Sequence, residues 1–456
     1  MPAKLLLRYV TICLTFCLFA AVAMNSTHAA AALKPNILLI VADDLGWADV
    51  GYHGSPIKTP NIDALCKAGV ELNHHYVAPM CTPTRAALLT GRYWSRFGNT
   101  APSNTRVLPW NTITLARALK KIGYHTAITG KWHLGSLPKW GPMKFGFDQS
   151  HGSLAGGVNP INHLYKHGQY SKTWHRNDKL IEEKGHVTDL IAAEAVNIIK
   201  TKRSKPLFLY VPFTAVHTPF DEPEKWLSSA AHLSKDRQQY GACDQHMDDA
   251  IGLMIQALRQ KKQLDNTLII FFSDNGGTNG DDSSRYPNTK PKGKIKGLNH
   301  PLRGWKTQVY EGGIRVPAFV YWQGKLKPRK VDAAVHAIDW MPTLCALTGY
   351  QPTQNLKWDG KNIWPLLTGQ ETNPAPRTLY CKGVRGGLAA LIDNNWKLVV
   401  HGSKGKQKQE LFNLESDPNE KHNLAAKHPD HNKSLLAKLK AEQAKDDDAK
   451  PTDQPS

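Results

Sequence analysis

Two pairs of oxygen-bearing side chains lie far apart in the sequence, each directly after an apolar run. Asp43 and Asp44 follow NILLIVA, and Asp274 and Asn275 follow TLIIFFS. Carboxylate and amide oxygens are ligands for Ca²⁺ or Mg²⁺ rather than for Zn²⁺. Three carboxylates that converge also repel each other unless a cation offsets their charge. The pattern predicts a hard-cation site, with a hydrogen-bonded turn cluster as the alternative for each pair taken alone.

Cationic and imidazole side chains follow two further apolar runs. Lys131 and His133 come after HTAITG, and His217 comes after LFLYVPF. In an extended segment, positions i and i+2 lie on one side, so Lys131 and His133 can face the same point. Two such donors are suited to binding an oxyanion, whereas a single exposed lysine is usually only solvated.

Cys81 stands at the start of CTPTRAALLTGRY, which predicts a helix. Pro83 is typical of the first helical position, with Thr82 or Cys81 as the N-cap, and Gly91 is typical of a helix end. Cys81 would then lie in the positive field of the helix N-terminus, with Arg85 one turn further on. A cation beside a nucleophile neutralises charge in a transition state. Taken alone, a small buried cysteine is the simpler interpretation.

The elements that would position these residues alternate between strand and helix. Such alternation is typical of an α/β fold, with a large, mostly parallel sheet sandwiched by helices. In such sheets the functional site lies beyond the carboxyl ends of the strands, where the residues above are found. The predicted strands span 36–44, 125–130, 207–213 and 267–275, and the predicted helices span 115–124, 187–202 and 243–261.

The C-terminal part of the chain has a different pattern. TGQETNPAPR, near Gly369, breaks the alternation and predicts a domain boundary. We expect a catalytic domain over 33–370 and a small subdomain over 371–445, with an antiparallel sheet of short strands and a lysine-rich helix. DDDAKPTDQPS, at 446–456, predicts a disordered tail.

Residues 1–32 have the pattern of a secretory signal peptide. Lys4 and Arg8 precede an apolar stretch, and small residues near Ala29–Ala32 fit a signal-peptidase site. A membrane anchor is the alternative, although the apolar stretch is short for a bilayer span. We therefore expect a secreted or periplasmic protein, with no membrane span in the mature chain.

The formal net charge of +20 favours an anionic partner such as nucleic acid, a membrane or an acidic polysaccharide. We find no nucleic-acid motif and no basic stripe with interleaved aromatic residues, so nucleic acid is not expected. The cysteines beyond residue 32 are odd in number and lack zinc-finger spacing, so at least one is free or modified. Up to two disulfides remain open among the others. These cysteines are Cys66, Cys81, Cys243, Cys345 and Cys381.

The Cys81-Thr-Pro-Thr-Arg85 sequence, followed by AALLTGRY, resembles the signature of type I sulfatases, a family of the alkaline phosphatase superfamily. Further motifs in the same order extend this resemblance over almost the whole mature chain. The branch that contains arylsulfatase B, an N-acetylgalactosamine-4-sulfatase, is the most similar in appearance. The supporting motifs are PNILLIVADDLGWADVGYHG, TPNIDALCKAGV, GKWHLG, HTPF, SDNGG, PLRGWKTQVYEGGIRVP and DPNEKHNL.

The resemblance implies one Ca²⁺ per chain and the oxidation of Cys81 to formylglycine (3-oxoalanine) by a maturation enzyme. The modified Cys81 joins the calcium ligands, Arg85 steadies the formylglycine, and His217 donates a proton to the leaving alcohol. In the implied mechanism, one hydroxyl of the hydrated aldehyde attacks sulfur and the other expels sulfate. The matching calcium ligands are Asp43, Asp44, Asp274 and Asn275, and the matching sulfate-binding residues are Lys131, His133 and Lys306.

The substrate we expect is a sulfated polysaccharide or its oligosaccharides, of the sulfated galactose or N-acetylgalactosamine type, rather than a small aryl sulfate. Residues 152–185 are polar and rich in His, Tyr and Trp, which is typical of a sugar-binding loop, although an ordinary long loop fits equally. The basic stretch 285–304 leads into Lys306 and is expected to face a polyanionic chain. His300 and Arg303 are the predicted substrate contacts in it.

Two other functions remain open. A formylglycine-dependent phosphodiesterase or phosphonate monoester hydrolase would share the nucleophile, whereas a two-zinc phosphatase would need additional Asp and His ligands. A catalytically silent protein that binds sulfated glycans would keep the fold without modification of Cys81. Every predicted catalytic position is filled, which argues against the silent protein.

Overall fold

The computed structural model describes residues 34–289, 296–384, 387–402 and 407–453. The predicted signal peptide, residues 290–295 of the basic stretch and residues 454–456 of the predicted tail lie outside this range. Among the described residues, no helix is long and apolar enough to span a bilayer.

A ten-stranded mixed sheet lies at the centre of the fold. Its order is β11-β2-β10-β9-β1-β8-β4-β5-β6-β7, and a separate four-stranded sheet has the order β13-β14-β15-β16. The strands are β1 (Asn36–Ala42), β2 (Val70–Leu72), β3 (His75–Tyr76), β4 (His125–Lys131), β5 (Gln149–Ser153), β6 (Trp174–Arg176), β7 (Lys179–Leu180), β8 (Leu207–Pro212), β9 (Thr267–Ser273), β10 (Ala318–Tyr321), β11 (Arg329–Val331), β12 (Val335–His336), β13 (Thr378–Lys382), β14 (Ala389–Asp393), β15 (Trp396–His401) and β16 (Lys408–Asn413).

Helices cover both faces of the large sheet. The α-helices are α1 (Pro60–Ala68), α2 (Cys81–Thr90), α3 (Leu115–Lys121), α4 (Val187–Lys200), α5 (Glu224–Ser229), α6 (Gln238–Gln260), α7 (Glu311–Ile314), α8 (Trp340–Thr348), α9 (Trp364–Thr368) and α10 (Pro429–Gln443). Short 3₁₀ helices span Trp47–Asp49, Gly51–His53, Trp94–Phe97, Pro138–Trp140, Pro142–Phe145, Leu264–Asn266, Ser283–Arg285 and Ala337–Asp339.

The central strands β9, β1, β8 and β4 are parallel neighbours, buried on both faces, which explains their continuous apolar sequences. Alternate residues of β1 enter two different cores: Ile40 packs with Ile191 of α4 and Met247 of α6, whereas Leu39 packs with Leu88 of α2. Val41 is opposite both Pro212 of β8 and Phe272 of β9. These three strands therefore end at one level, and the residues that follow them emerge together.

This topology confirms the predicted α/β sheet and its small antiparallel companion. Strands β13 to β16 pair antiparallel in sequence order, and α10 buries Leu435 and Leu439 against them. A buried ion-pair cluster joins this small sheet to the main body, because Lys397 contacts Glu311 at 2.8 Å and Glu420 at 2.9 Å. The domain boundary near residue 370 remains our proposal.

The predicted disorder of the acidic tail is corrected for residues 446–453. The Asp447 N–H donates to the Ser95 carbonyl at 2.9 Å, and the Ala449 N–H donates to the Arg96 carbonyl at 2.8 Å. Asp448 pairs with Arg92 at 2.8 Å. The tail is held in place because arginines that follow α2 bind its carboxylates, which composition alone does not reveal.

The cysteines of the described chain are unpaired and buried, so neither of the two disulfides left open by the sequence is formed. Burial raises the pKa of the Cys345 thiol to about 12. Cys66, Cys243, Cys345 and Cys381 therefore act as small apolar core residues.

Candidate active site

The four oxygen-bearing residues predicted as metal ligands meet at the ends of β1 and β9. Asp43 and Asp44 follow β1, and Asp274 and Asn275 follow the parallel neighbour β9. The Asn275 Nδ2 donates to Asp44 Oδ1 at 2.7 Å, and the Asp44 N–H donates to Asp274 Oδ1 at 3.4 Å. All four side chains are buried. Residues 230 positions apart in sequence therefore form one cluster.

Each carboxylate of this cluster contacts one cationic side chain. The separations are 2.5 Å from Lys131 Nζ to Asp43 Oδ2, 2.7 Å from Lys306 Nζ to Asp44 Oδ1, and 2.7 Å from Arg85 Nη2 to Asp274 Oδ2. Although burial opposes ionisation, Lys131 and the other nearby cations hold the pKa of Asp43 well below its usual range. Burial and the Asp43 charge raise the pKa of Asp274 to about 6.

Two oxygens in the cluster are buried without a hydrogen-bond partner among the described residues, Asp43 Oδ1 and Asn275 Oδ1. An unsatisfied buried polar atom costs about 1–3 kcal/mol. A hard divalent cation would satisfy both oxygens, because it prefers carboxylate and amide ligands. Asp43, Asp44, Asp274 and Asn275 therefore fit a metal site of the oxygen type, and the Cys81 Sγ lies within 4.8 Å of a carboxylate oxygen of Asp43 and of Asp274.

Cys81 is the first residue of α2, next to this cluster. Its N-cap is Met80, and the helix ends at Gly91, which has a φ of 70°. The predicted helix end is therefore correct, whereas the predicted start at Pro83 is two residues late. The Cys81 Sγ lies 3.3 Å from His133 Nδ1. Burial raises the pKa of the Cys81 thiol, an effect that Lys131 and Lys306 only partly offset, so an unmodified thiol is protonated and a poor nucleophile.

Arg85 lies one turn into α2, but it doesn't reach back to Cys81. Its Nε and Nη2 both donate to Asp274 Oδ2, at 3.1 and 2.7 Å, and its Nη1 donates to the Lys131 carbonyl at 2.7 Å. Arg85 is fully buried. It therefore ties the helix that carries Cys81 to the ends of β9 and β4.

Two non-glycine residues of the site have left-handed backbone conformations. Asp44 has a φ of 64° and His133 a φ of 56°. Such conformations are strained for residues with a Cβ and cluster at functional sites.

The two histidines of the site face Cys81 and Asp44 respectively. Burial, followed by the Lys131 charge, lowers the pKa of His133 well below its usual value, and its Nε2 is buried without a partner in the described structure. His217 Nδ1 donates to the Thr218 carbonyl, which leaves Nε2 facing Asp44 Oδ2 at 3.8 Å. Burial, followed by Lys306, lowers the pKa of His217, and the nearby Asp44 charge opposes this effect.

These residues border a cleft of about 280 Å³ that opens to solvent. Its floor includes Asp44, Cys81, His133, His217 and Lys306, all predicted from the sequence. The cleft is also lined by residues that were not predicted individually from the sequence. Two of them lie in the predicted sugar-binding loop and two in the predicted basic stretch. The missed residues are Tyr165, Lys166, Asp282, Arg285 and Tyr286.

The missed residues form one wall of the cleft through contacts between two loops. Lys166 Nζ lies 2.8 Å from Asp282 Oδ2, and the Thr218 hydroxyl donates to Asp282 Oδ1 at 2.6 Å. The Tyr165 and Tyr286 rings meet edge to face, with centroids 6.0 Å apart. The only sequence signal for this wall was the local enrichment in Tyr, His and basic residues.

The structure does not place His300 and Arg303 among the residues that line the cleft, and their contact with substrate stays a prediction. His300 is exposed, and neither residue lines the cavity around Cys81. The Arg303 guanidinium stacks on the Tyr310 ring, 3.8 Å from its centroid, and donates to the Glu420 carbonyl at 2.9 Å. Arg303 is therefore held by Tyr310 and by the loop after β16, and it keeps 39% of its side chain exposed.

A mostly parallel α/β sheet whose strand ends converge on carboxylates, lysines and a helix-borne cysteine defines an alkaline-phosphatase-like ester hydrolase. Comparison with known families agrees: the Sulfatase family matches residues 35–350, and the family described as N-sulphoglucosamine sulphohydrolase, C-terminal, matches residues 303–448. The chain belongs to the sulfatase family and is a sulfuric ester hydrolase.

Named relatives and solved structures share this architecture. The chain is 32% identical to arylsulfatase J of Mus musculus, over 89% of this chain and 75% of the relative. It is 33% identical to N-acetylgalactosamine-6-sulfatase of Homo sapiens, over 73% of this chain and 66% of the relative. The structure of Ps i-CgsB in complex with k-i-k-neocarrahexaose superimposes with a TM-score of 0.80 at 32% identity, covering 92% of this chain and 95% of the other.

Proposed function

We propose that the chain is a secreted or periplasmic sulfatase that removes sulfate from sulfated galactose or N-acetylgalactosamine units of a polysaccharide or its oligosaccharides. The observation that carries this proposal is the convergence of Cys81, three carboxylates, two lysines and two histidines at the base of a solvent-open cleft, which Asp44, Cys81, His133, His217 and Lys306 line directly. A signal peptide in residues 1–32 remains our prediction for the route of export.

Cys81 is proposed as the precursor of formylglycine, produced by a separate maturation enzyme. The raised pKa of the thiol supports this proposal, because a protonated buried thiol is a poor nucleophile. The modified residue would supply a hydrated aldehyde, whose hydroxyl is the nucleophile toward sulfur. Arg85 binds Asp274 and the Lys131 carbonyl, and it would thereby fix the helix that carries the modified Cys81.

Ca²⁺ is the proposed metal, and Asp43, Asp44, Asp274 and Asn275 would hold it together with the modified Cys81. When bound, Ca²⁺ would add positive charge beside the sulfate oxygens and increase the acidity of the nucleophilic hydroxyl. The two partnerless oxygens, Asp43 Oδ1 and Asn275 Oδ1, support this assignment.

Lys131, Lys306 and His133 are proposed to bind the sulfate oxygens. Both ammonium groups already lie at the strand ends, on Asp43 and Asp44, so a short movement of each side chain brings it onto a sulfate oxygen. The His133 Nε2 is free to donate into the cleft. Such preorganised donors stabilise the charge that develops in the transition state.

His217 is proposed to protonate the leaving oxygen through Nε2. Its Nδ1–H is fixed on the Thr218 carbonyl, which orients Nε2 toward the cleft. The resting pKa is lowered by burial and by Lys306, and the negative charge of a bound sulfate group opposes the second effect. His217 is therefore expected to gain its proton with the substrate.

The glycan substrate class is supported by the cleft wall and by the relatives. The buried Tyr165 and Tyr286 rings form an aromatic part of the wall, and the exposed Arg285 adds positive charge to it. One relative is named for N-acetylgalactosamine, and one structural neighbour was solved with a neocarrahexaose. The 4-sulfatase branch remains a prediction within this class.

The test is sulfate release from a panel of carrageenan-, ulvan- and chondroitin-type oligosaccharides, with 4-nitrophenyl sulfate and a phosphodiester alongside. We expect at least one oligosaccharide to react, with loss of activity in Cys81→Ala. Mass analysis of the Cys81 peptide would show whether formylglycine is present. A fully modified chain that hydrolyses only the aryl sulfate or the phosphodiester would overturn the glycan proposal, and a chain that only binds the glycans would indicate the silent protein.

A further inference from the structure

A second cluster of potential metal ligands lies between α4 and α6, apart from the catalytic cleft. His186 is the N-cap of α4, and Asp189 lies in the first turn of that helix. His246 lies within α6, and Glu222 belongs to the connection between β8 and α5. Three separate segments therefore contribute side chains to one place.

One carboxylate lies on the same side of both histidine rings. Glu222 Oε2 is 2.8 Å from His246 Nδ1, and Glu222 Oε1 is 3.4 Å from His186 Nε2. The two rings stack with centroids 4.7 Å apart, and the Trp226 ring stacks on His246. The Glu222 side chain is fully buried. It is thus placed to accept the N–H of each imidazole.

Each remaining ring nitrogen has one contact. His246 Nε2 lies at hydrogen-bond distance, 3.0 Å, from Asp189 Oδ1, and His186 Nδ1 accepts the Thr188 N–H at 3.2 Å as the N-cap of α4. A bound metal would take the place of these two contacts. One potential ligand atom from each of His186, Asp189 and His246 lies within 4.8 Å of the other two. Imidazoles that donate one N–H to a carboxylate and offer the other nitrogen are typical of metal-bound histidines.

Two buried polar atoms of the cluster have no hydrogen-bond partner among the described residues. They are His186 Nε2 and Glu222 Oε1. They face each other at 3.4 Å, so a small rotation of the His186 ring would join them. A metal on the opposite nitrogen would hold the ring in that rotated orientation. An ion would therefore act on this pair only indirectly, by fixing the orientation of the His186 ring.

We propose that His186, Asp189 and His246 form a second, solvent-open site for a divalent transition metal of the Zn²⁺ type, with Glu222 orienting both histidines. Two imidazole nitrogens and one carboxylate favour Zn²⁺ or a similar ion over Ca²⁺. The two carboxylates would balance the charge of the ion. Asp189 keeps 64% of its side chain exposed, which gives the ion access and leaves room for water as a further ligand.

The proposed metal site would not contact the substrate, but it would restrain a segment that leads to the catalytic cleft. Glu222 follows His217 in the same connection, so a metal that locks Glu222 also restrains the segment that carries the proposed proton donor. The ion would join α4, α6 and this connection, and its expected role is positional.

The experiment measures Zn²⁺ binding to the full chain by equilibrium dialysis in excess Ca²⁺, with metal content read by mass spectrometry. We expect the native chain to bind one Zn²⁺ more than Asp189→Asn, which removes an exposed ligand and should fold. His246→Gln should show the same loss, and Glu222→Gln should bind about 10- to 100-fold more weakly. Zn²⁺ should also raise the Tm of the native chain but not of Asp189→Asn.

The matched control is His175→Gln. This buried histidine also has both ring nitrogens engaged, but by the Gly152 carbonyl and the Ser150 hydroxyl rather than by carboxylates. Its Zn²⁺ binding should equal that of the native chain. Equal Zn²⁺ content in the native chain, Asp189→Asn and His246→Gln would overturn the proposal and leave His246 as an imidazolium between two carboxylates.

Discussion

At the scale of single residues, the cleft is a set of opposite charges in direct contact. Three buried carboxylates each hold one cation, Lys131, Lys306 or Arg85, at 2.5 to 2.7 Å. Arg85 stays with Asp274 because it is also bound to the backbone, whereas the two lysines have no such second anchor among the hydrogen bonds described here. In the proposed mechanism, the lysines are therefore the groups that would move from carboxylate to sulfate.

His217→Ala should separate substrates by their leaving group. A sugar hydroxyl needs a proton as the ester bond breaks, so kcat for a glycan sulfate should fall by about 10²–10⁴. A nitrophenolate leaves without a proton, so kcat for 4-nitrophenyl sulfate should fall much less. Steady-state kinetics on both substrates measure the difference.

The control for this variant is His232→Ala, which removes an exposed histidine outside the cleft and should leave both rates unchanged. An equal fall in kcat for both substrates would contradict the role of His217 as a proton donor.

At the scale of elements, the site was predictable where strands end and was not predictable where loops meet. Asp43, Asp274 and His217 each follow a continuous apolar strand, so their convergence follows from parallel pairing. Lys166 and Asp282 come from two loops without periodicity, and only tertiary contact places them together. Arg303 was predicted as a substrate contact because it lies in a basic stretch. The sequence does not reveal that its guanidinium contacts the Tyr310 ring and the Glu420 carbonyl.

Glu420→Gln should weaken the pH dependence of stability that comes from the junction of the two sheets. Burial and the Glu311 charge raise the pKa of Glu420 to about 7 in the folded chain, although Lys397 acts to lower it. In the unfolded chain the pKa of a glutamate is about 4.3. Such a group contributes stability that is fully present below the unfolded pKa and is lost as the pH rises through the folded pKa. The native free energy of unfolding should therefore fall more between about pH 5 and pH 8 than that of the variant.

Urea unfolding at several pH values checks this prediction. Glu182→Gln is the control, because Glu182 keeps 88% of its side chain exposed and should leave the slope unchanged. Parallel pH profiles for the native chain and Glu420→Gln would show that the junction does not titrate in this range.

At the scale of the whole molecule, the dominant property is a formal net charge of +20. The metal-type cluster is locally balanced, so the excess positive charge acts over longer distances on whatever approaches the cleft. The exposed Arg285 carries part of this charge on the cleft wall, whereas Lys166 is paired with Asp282. A polyanionic chain should therefore be attracted well before it makes contact.

Salt should reduce kcat/KM much more for a sulfated polymer than for a small aryl sulfate. Raising NaCl from about 50 to about 300 mM shortens the electrostatic screening length. Long-range attraction is then lost, while contacts inside the cleft persist. We expect a fall of about 10-fold for the polymer and less than about 2-fold for 4-nitrophenyl sulfate. Equal salt dependence for the two substrates would argue against a polyanionic substrate.

The burial of Cys81 sets an order of events in the life of the chain. The thiol is only 2% exposed, on a helix that packs against the sheet and whose following turn is closed by residues 447–449 near the C-terminus. Under the proposed conversion of Cys81 to formylglycine, a maturation enzyme would need to act before these parts assemble. Modification and folding would then compete in time, and the specific activity of a preparation would depend on which process was faster in the host cell.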